Sequence, residues 1–150
     1  MRAALVSGRL SFRGRAIRTL GRAHLLVQRA SGGRLLSRVA GMPVLLLTTT
    51  GRKTGKPRTT PLTYFRDGDD YVVIASNGGE DAPPRWWLNL QADPRASVRL
   101  DGRTVSVVAR EAPPDVRERL WPQITATYAG YARYERRTSR RIPVVLLTPR

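Results

Sequence analysis

A mainly β fold with flanking helices, a small barrel of about six strands, is what this 150-residue sequence predicts. Three observations carry that expectation. Asp-Gly pairs at Asp67-Gly68 and Asp101-Gly102 each stand between strand-like runs, a strong signal for a β-hairpin. Short apolar runs at 43–50 and 142–147 have the length of buried strands. The chain has no internal repeat and is the size of one domain, so these strands must cover one another.

The elements follow in order. Residues 1–40 contain no proline, and Leu10, Ile17, Leu20, Leu25 and Leu26 alternate with arginines. That spacing predicts a basic amphipathic helix over about 15–29, ended by Gly32-Gly33. Residues 1–20 are expected to be a basic extension, disordered or facing a membrane, and 21–150 the barrel domain. A solvated arginine face explains the helix; contact with anionic lipid headgroups is the sharper alternative.

From residue 42 the texture becomes strand-like. The run 43–50 leads through a basic turn to a second strand over 58–66, the Asp67-Gly68-Asp69 turn, and Tyr71-Val72-Val73-Ile74-Ala75. Residues 76–84 form a loop around Gly78-Gly79. Pro84 then opens a short helix, Arg85-Trp86-Trp87-Leu88-Asn89-Leu90, with one tryptophan expected in the core and the other free to edge a planar ligand. A second hairpin occupies 96–111. Pro113-Pro114-Asp115 start a helix predicted to reach about residue 137, kinked or split at Pro122. A last strand closes the fold at 142–147.

Composition narrows function. Twenty-seven Lys and Arg against 11 Asp and Glu give a net charge of +16, and Asp67 is the first acidic residue. That balance calls for an anionic partner: nucleic acid, a lipid surface or an acidic ligand. Cysteine is absent, which removes disulfides and thiol nucleophiles and fits a reducing, cytoplasmic setting. His24 is the single histidine and reads as a packed or surface residue of the basic helix; no Ser-His-Asp triad can be built without it, and a two-histidine metal site cannot be assembled. No apolar run approaches the roughly 20 residues of a membrane-spanning helix.

The charge concentrates in TTTGRKTGKPRTTP at 48–61. This is not a P-loop: only three residues separate Gly51 from Gly55, Pro57 follows Lys56, and strands rather than a helix flank it. Gly51 and Gly55 are expected to turn backbone N–H groups inward as an anion nest. Arg52, Lys53, Lys56 and Arg58 supply charge, and Thr54, Thr59 and Thr60 hydroxyls. On these residues alone a solvated basic hairpin, an anion site and a nucleic-acid contact all stay open. Specific nucleic-acid binding is disfavoured by the lack of a helix-turn-helix pattern, zinc fingers or a stacking set of aromatic strand residues. Further on, Tyr128, Tyr131 and Tyr134 fall within about 120° of one another around a helix. They serve either as packing or as an aromatic lid over a flat ligand.

Taken together these pieces resemble a known family. LLLTTTGRKTGKPRTTPL at 45–62, the Asp67-Gly68-Asp69 turn, ASNGG at 75–79, WWLNL at 86–90, Asp93-Pro94, Trp121-Pro122, the three tyrosines and RIPVVLL at 141–147 are similar, in order, to the deazaflavin-dependent nitroreductases. The likeness extends over about residues 20–149. It implies a split β-barrel of the FMN-binding type and an enzyme that uses reduced coenzyme F420 as hydride donor. The expected acceptor is a quinone, a nitroaromatic or another activated unsaturated compound. An F420-binding or storage protein with little turnover, or an FMN-dependent oxidoreductase on the same barrel, are the alternatives, and the chain is expected to be a monomer or homodimer.

Carried over motif by motif, Arg52, Lys53, Thr54 and the run Arg58, Thr59, Thr60, Pro61, Leu62 and Thr63 would hold the phosphate and acidic tail. Ile74, Ala75, Ser76 and Asn77 would meet the deazaflavin ring, with Arg85, Trp86, Trp87, Leu88, Asn89 and Tyr131 completing the pocket. Ser76, Tyr128, Tyr131 and Tyr134 would orient the acceptor. The best-known member has lysine at the position of Asn77 and tyrosine at that of Thr63. Those departures bear on acceptor choice more than on cofactor binding. F420 is a long anion with a flat head, so a basic turn beside a cleft suits both of its ends. About three to four charge-assisted contacts of roughly 1.5–3 kcal/mol each would anchor the tail despite screening.

Overall fold

The computed structural model describes residues 38–39 and 42–150. The predicted helix over 15–29 and the extension over 1–20 lie outside these residues. The described elements are β1 (Arg38–Val39), β2 (Met42–Thr50), β3 (Pro57–Thr63), β4 (Phe65–Asp67), β5 (Asp70–Ile74), α1 (Arg85–Ala92), β6 (Arg95–Leu100), β7 (Arg103–Glu111), α2 (Pro114–Thr127), α3 (Gly130–Arg137) and β8 (Val144–Pro149).

The strands form one eight-stranded sheet in the order β1-β2-β6-β7-β8-β5-β4, with β3 on β2. All its pairings are antiparallel. The two ends of this order are joined by the chain itself. β3 pairs with β2 and β4 pairs with β5, while Tyr64 links β3 to β4 and donates its N–H to Pro43 O at 3.2 Å. One bent strand therefore curls the sheet into a barrel. The expected six strands become eight because the predicted strand over 58–66 bends at Tyr64 and two residues ahead of residue 42 add a short ladder. Counted as barrel staves, with β3 and β4 as one and the two-residue β1 set aside, six remain.

Both Asp-Gly hairpins form. Leu100 pairs with Arg103 around Asp101-Gly102, whose φ values of 50° and 74° are those of a type I′ turn. Asp67 pairs with Asp70, and Gly68 takes φ 58° between them.

Strand alternation divides the apolar residues between two cores. Leu45, Leu47, Tyr71, Val73, Ala75, Val98, Val107, Val145 and Leu147 fill the barrel interior together with Trp86, Trp87 and Leu90 of α1. Met42, Val72, Ile74, Val144 and Leu146 face the other way, beneath Leu120, Ile124 and Tyr131 of α2 and α3. Burying each such large side chain stabilises the fold by roughly 1.5–3 kcal/mol. The expectation that one tryptophan stays free is corrected here. Both are buried in the interior core, because α1 plugs the barrel with its tryptophan face.

A second correction concerns the long helix expected over 114–137. It does divide, but at Tyr128-Ala129 rather than at Pro122, which lies inside α2. The carbonyl that Pro122 cannot pair belongs to Glu118, an exposed residue, so water can satisfy it. At the actual break Tyr128 is extended (φ −141°, ψ 99°) and its ring folds onto Gly130. A Cβ on Gly130 would sit 2.5 Å from a Tyr128 ring carbon, so the glycine makes the fold-back possible.

Candidate functional site

The basic turn joins β2 to β3 between the paired Thr50 and Pro57. Its backbone is held by its own atoms: Gly51 N–H donates to Lys56 O and Gly55 N–H to Gly51 O, both at 2.8 Å. Lys56 N–H donates to Thr54 Oγ1 at 3.2 Å. Gly55 takes φ 70°, and a Cβ at Gly51 would lie 2.9 Å from Thr54 Oγ1. The nest expected from Gly51 and Gly55 is therefore corrected, since their N–H groups are spent inside the turn. What the turn offers outward is side-chain charge. Arg52, Lys53, Lys56 and Arg58 are exposed, and none has an ion-pair partner among the described residues.

Asn89 ties this turn to the barrel plug. Buried in α1, it accepts from Arg52 N–H through Oδ1 and donates through Nδ2 to Thr49 Oγ1, each at 3.1 Å. Thus the asparagine of WWLNL is a strut between helix and turn. Arg85 is exposed in the first turn of the same helix, and Leu88 is half-buried.

β3 leads from the turn toward the tyrosines. Over the six steps from Pro57 to Thr63 it extends about 20 Å, carrying Arg58, Thr59, Thr60, Pro61 and Leu62, and is half-exposed from Thr59 on. Thr59 shares a 2.8 Å hydroxyl hydrogen bond with Thr48 of β2. At the far end Thr63 shares one of 2.8 Å with the Tyr131 hydroxyl. Basic turn and tyrosine cluster are thereby the two ends of one strand.

The tyrosines meet, though not as one helical face. Tyr128 caps α2 while Tyr131 and Tyr134 belong to α3. Their ring centroids nonetheless stand 5.1 Å (128–131), 6.0 Å (131–134) and 6.5 Å (128–134) apart in edge or tilted contacts, and Phe65 meets Tyr131 at 6.2 Å. The Tyr128 hydroxyl, then burial, pushes the Tyr134 phenol up to about 12. Burial also raises the Tyr131 phenol, with the Thr63 hydrogen bond opposing it. Both are neutral phenols at ordinary pH.

Ile74, Ala75, Ser76 and Asn77 lead from β5 into a single 3-10 turn, Asn77–Gly79. Ile74, Ala75 and Ser76 are buried. Asn77 is exposed, with φ 48°, and its Nδ2 donates to Ala82 O at 2.9 Å. The Ser76 side chain is different: its residue is 8% exposed, yet the hydroxyl has no hydrogen-bond partner among the described residues. Gly79, at φ 80°, brings this turn against α3. A Cβ there would stand 2.9 Å from Tyr134 Cα.

One residue of this assembly gave no sign in the sequence. Arg140 donates through Nε to Glu80 O (3.0 Å), through both Nη atoms to Ala75 O (3.2 Å each), and through Nη2 to Ser76 O (2.9 Å). Burial lowers its pKa from the ordinary arginine value, with the Asp81 carboxylate opposing the shift. The pair Arg140-Arg141 reads as surface charge in a chain this basic, and only the folded backbone separates the two.

Among the described residues, a turn of unpaired cations and a cluster of aromatics thus mark opposite ends of β3, and a buried hydroxyl without a partner follows the end of β5. The family model for the F420H(2)-dependent quinone reductases matches residues 20–149. The chain belongs to that family. An F420H(2)-dependent quinone reductase of Mycobacterium tuberculosis H37Rv is 44% identical over 133 residues, covering 86% of this chain and 89% of the relative. A solved F420-H2-dependent reductase is 37% identical with a TM-score of 0.64, over 70% of this chain and 93% of that one. Another solved chain, described as a domain-swapped dimer, is 30% identical with a TM-score of 0.66, over 88% and 96%. The split-barrel fold is therefore that of F420-dependent reductases, and the protein is an F420-dependent oxidoreductase with the reduced coenzyme as hydride donor.

The residues present fit that coenzyme. Four exposed cations that have no ion-pair partner among the described residues suit its phosphate and acidic tail, and the Ser76 hydroxyl, likewise unpaired among them, suits a polar edge of a flat ring. Among the described residues no helix is long and apolar enough to cross a membrane.

Proposed function

We propose that this protein reduces a quinone with F420H2, gripping the coenzyme at the basic turn and orienting the acceptor at the tyrosine cluster. The observation that carries this reading is the 2.8 Å Thr63–Tyr131 hydrogen bond, which ties the strand leaving the cationic turn to the phenols. In this reading Arg52, Lys53, Thr54, Arg58, Thr59 and Thr60 hold the anionic tail. Ile74 to Asn77 flank the ring, and Asn89 keeps the turn in register with the barrel.

When bound, the reduced deazaflavin supplies a hydride, so the chain's task is positioning and exclusion of water. Tyr128, Tyr131, Tyr134 and Ser76 offer hydroxyls able to donate to a carbonyl oxygen. The raised phenols stay protonated at neutral pH, which suits them to orient an acceptor oxygen rather than to deliver a proton. Thr63, shorter than a tyrosine, leaves more room beside Tyr131 and favours a bicyclic quinone over a compact nitroaromatic.

Titration with F420 and with FMN tests the cofactor assignment. F420 should bind at micromolar or lower concentration in physiological salt, with FMN at least tenfold weaker; the reverse order would replace the assignment by a flavin enzyme. Turnover of F420H2 with menadione and with a nitroaromatic then tests the acceptor. Menadione should be reduced faster, and binding without turnover of either would make the protein a carrier.

A further inference from the structure

We propose that Arg140 is a positioning residue: it fixes the peptide planes on both sides of Ser76 so that unpaired donors face away from it into the site. The argument starts from the carbonyls. Those of Ala75 and Ser76 both accept from the Arg140 guanidinium, which also takes Glu80 O and so spans the whole turn. The chain contains no cis peptide among the described residues. In a planar trans peptide the N–H points opposite to the C=O. The peptide carrying Ala75 O also carries Ser76 N–H, and the one carrying Ser76 O carries Asn77 N–H. Both N–H groups are therefore directed away from Arg140.

Neither N–H group has a hydrogen-bond partner among the described residues, and neither does the Ser76 hydroxyl between them. The N–H and hydroxyl of Ser76 belong to a buried residue, and buried donors are costly unless something accepts from them. A flat ligand edged with carbonyl oxygens would. Gly79 N–H also donates to Ser76 O at 2.9 Å, whereas among the described residues Ala75 O accepts from Arg140 alone, so without the guanidinium the Ala75–Ser76 peptide loses the anchor of its carbonyl. Arginine suits the task because its planar fork reaches three carbonyls at once, where an ammonium would reach fewer. Thr138 completes the corner, accepting from Arg140 N–H at 3.3 Å and donating to Asp81 at 2.8 Å. Ala75 N–H donates to Pro143 O at 3.0 Å, so the residues just after Arg140 hold the same wall from the backbone side.

The proposal rests on the reading that residues 74–77 flank the F420 ring, and its test separates the two. Hydrogen–deuterium exchange of the peptide spanning 75–80, measured without cofactor, should speed up at least tenfold in Arg140→Met, with Arg140→Lys intermediate. Unchanged exchange in a folded Arg140→Met overturns the proposal whatever the cofactor proves to be. With F420, Arg140→Met should keep tail-driven affinity within about threefold while kcat falls at least tenfold, and Arg140→Lys should recover part of kcat. A loss confined to affinity, or full activity in Arg140→Met, also overturns it. Wild-type protein that fails to bind F420 while Arg140→Met still loosens the turn would remove the ring reading and leave the positioning role standing.

Discussion

The two ends of β3 are built on opposite principles. At residues 51–58 the chain exposes four cations, satisfies its backbone locally and relies on one distant contact, the Arg52–Asn89 hydrogen bond. At Thr63 the strand enters a cluster of aromatic rings in which the tyrosines of α2 and α3 meet one another locally, while the Thr63–Tyr131 hydrogen bond and the Phe65–Tyr131 ring contact fasten them to strands distant in sequence. The first end is a charged surface whose energetics belong to ligand and salt. The second is a packed wall whose energetics belong to the fold. A variant at the first should therefore change binding with little change in stability, and a variant at the second should change both.

The largest effect is expected from Arg52→Ala combined with Lys53→Ala. F420 affinity should fall ten- to a thousandfold, roughly 1.5–4 kcal/mol after screening at an exposed site, with the thermal midpoint nearly unmoved. Fluorescence titration at two salt concentrations reads it. Unchanged affinity would sink the tail site and, with it, the contrast between the two ends.

Next comes Gly79→Ala, which forces a methyl to within 2.9 Å of the α3 backbone at a residue with φ 80°. A loss of about 1–2 kcal/mol is expected, together with lower kcat. Gly68→Ala is the comparison: its φ is also positive, at 58°, but nothing lies within 4 Å of the added Cβ. The Gly79 variant should be the less stable of the two by thermal denaturation. Equal losses would mean that close approach to Tyr134 contributes nothing beyond backbone strain.

The smallest effect concerns pH. The Tyr134 phenol is raised from 10.0 to about 12 in the folded protein. The unfolded chain then ionises first, so this contribution to stability is full below pH 10 and is lost as pH climbs toward 12. Urea midpoints should be insensitive to Tyr134 between pH 7 and 9 and decline above 10. Tyr134→Phe should flatten that alkaline decline, and an identical slope in the variant would show that the cluster does not hold the phenol neutral.

The hairpins, the basic turn and the apolar staves were legible because each depends on neighbours in sequence. Asp101-Gly102 takes positive φ at both residues of its turn and Gly68 does so between the paired Asp67 and Asp70, and period-two alternation marks which residues face inward. The tyrosines were legible as a group but for an incomplete reason. Helical spacing brought Tyr131 and Tyr134 together, whereas Tyr128 reaches them by folding back over Gly130. The anion nest was misread because glycine permits an inward N–H without saying whether another carbonyl in the turn will take it first. The tryptophans were half right: α1 buries both, since a plug inside a barrel is surrounded on more sides than a helix lying on a surface.

By itself the sequence determined the mainly β barrel, its two tight hairpins, the family and the place where charge accumulates, all of which follow from local propensity, periodicity and motif order. Tertiary structure alone decided that β3 and β4 are one bent stave and that Thr63 meets Tyr131 68 residues away. It alone singled out Arg140, among so many arginines, as the one that holds the Ser76 turn. The physical reason is that hydrogen-bond partners distant in sequence are chosen by how the sheet curls, and no spacing along the chain records that curvature.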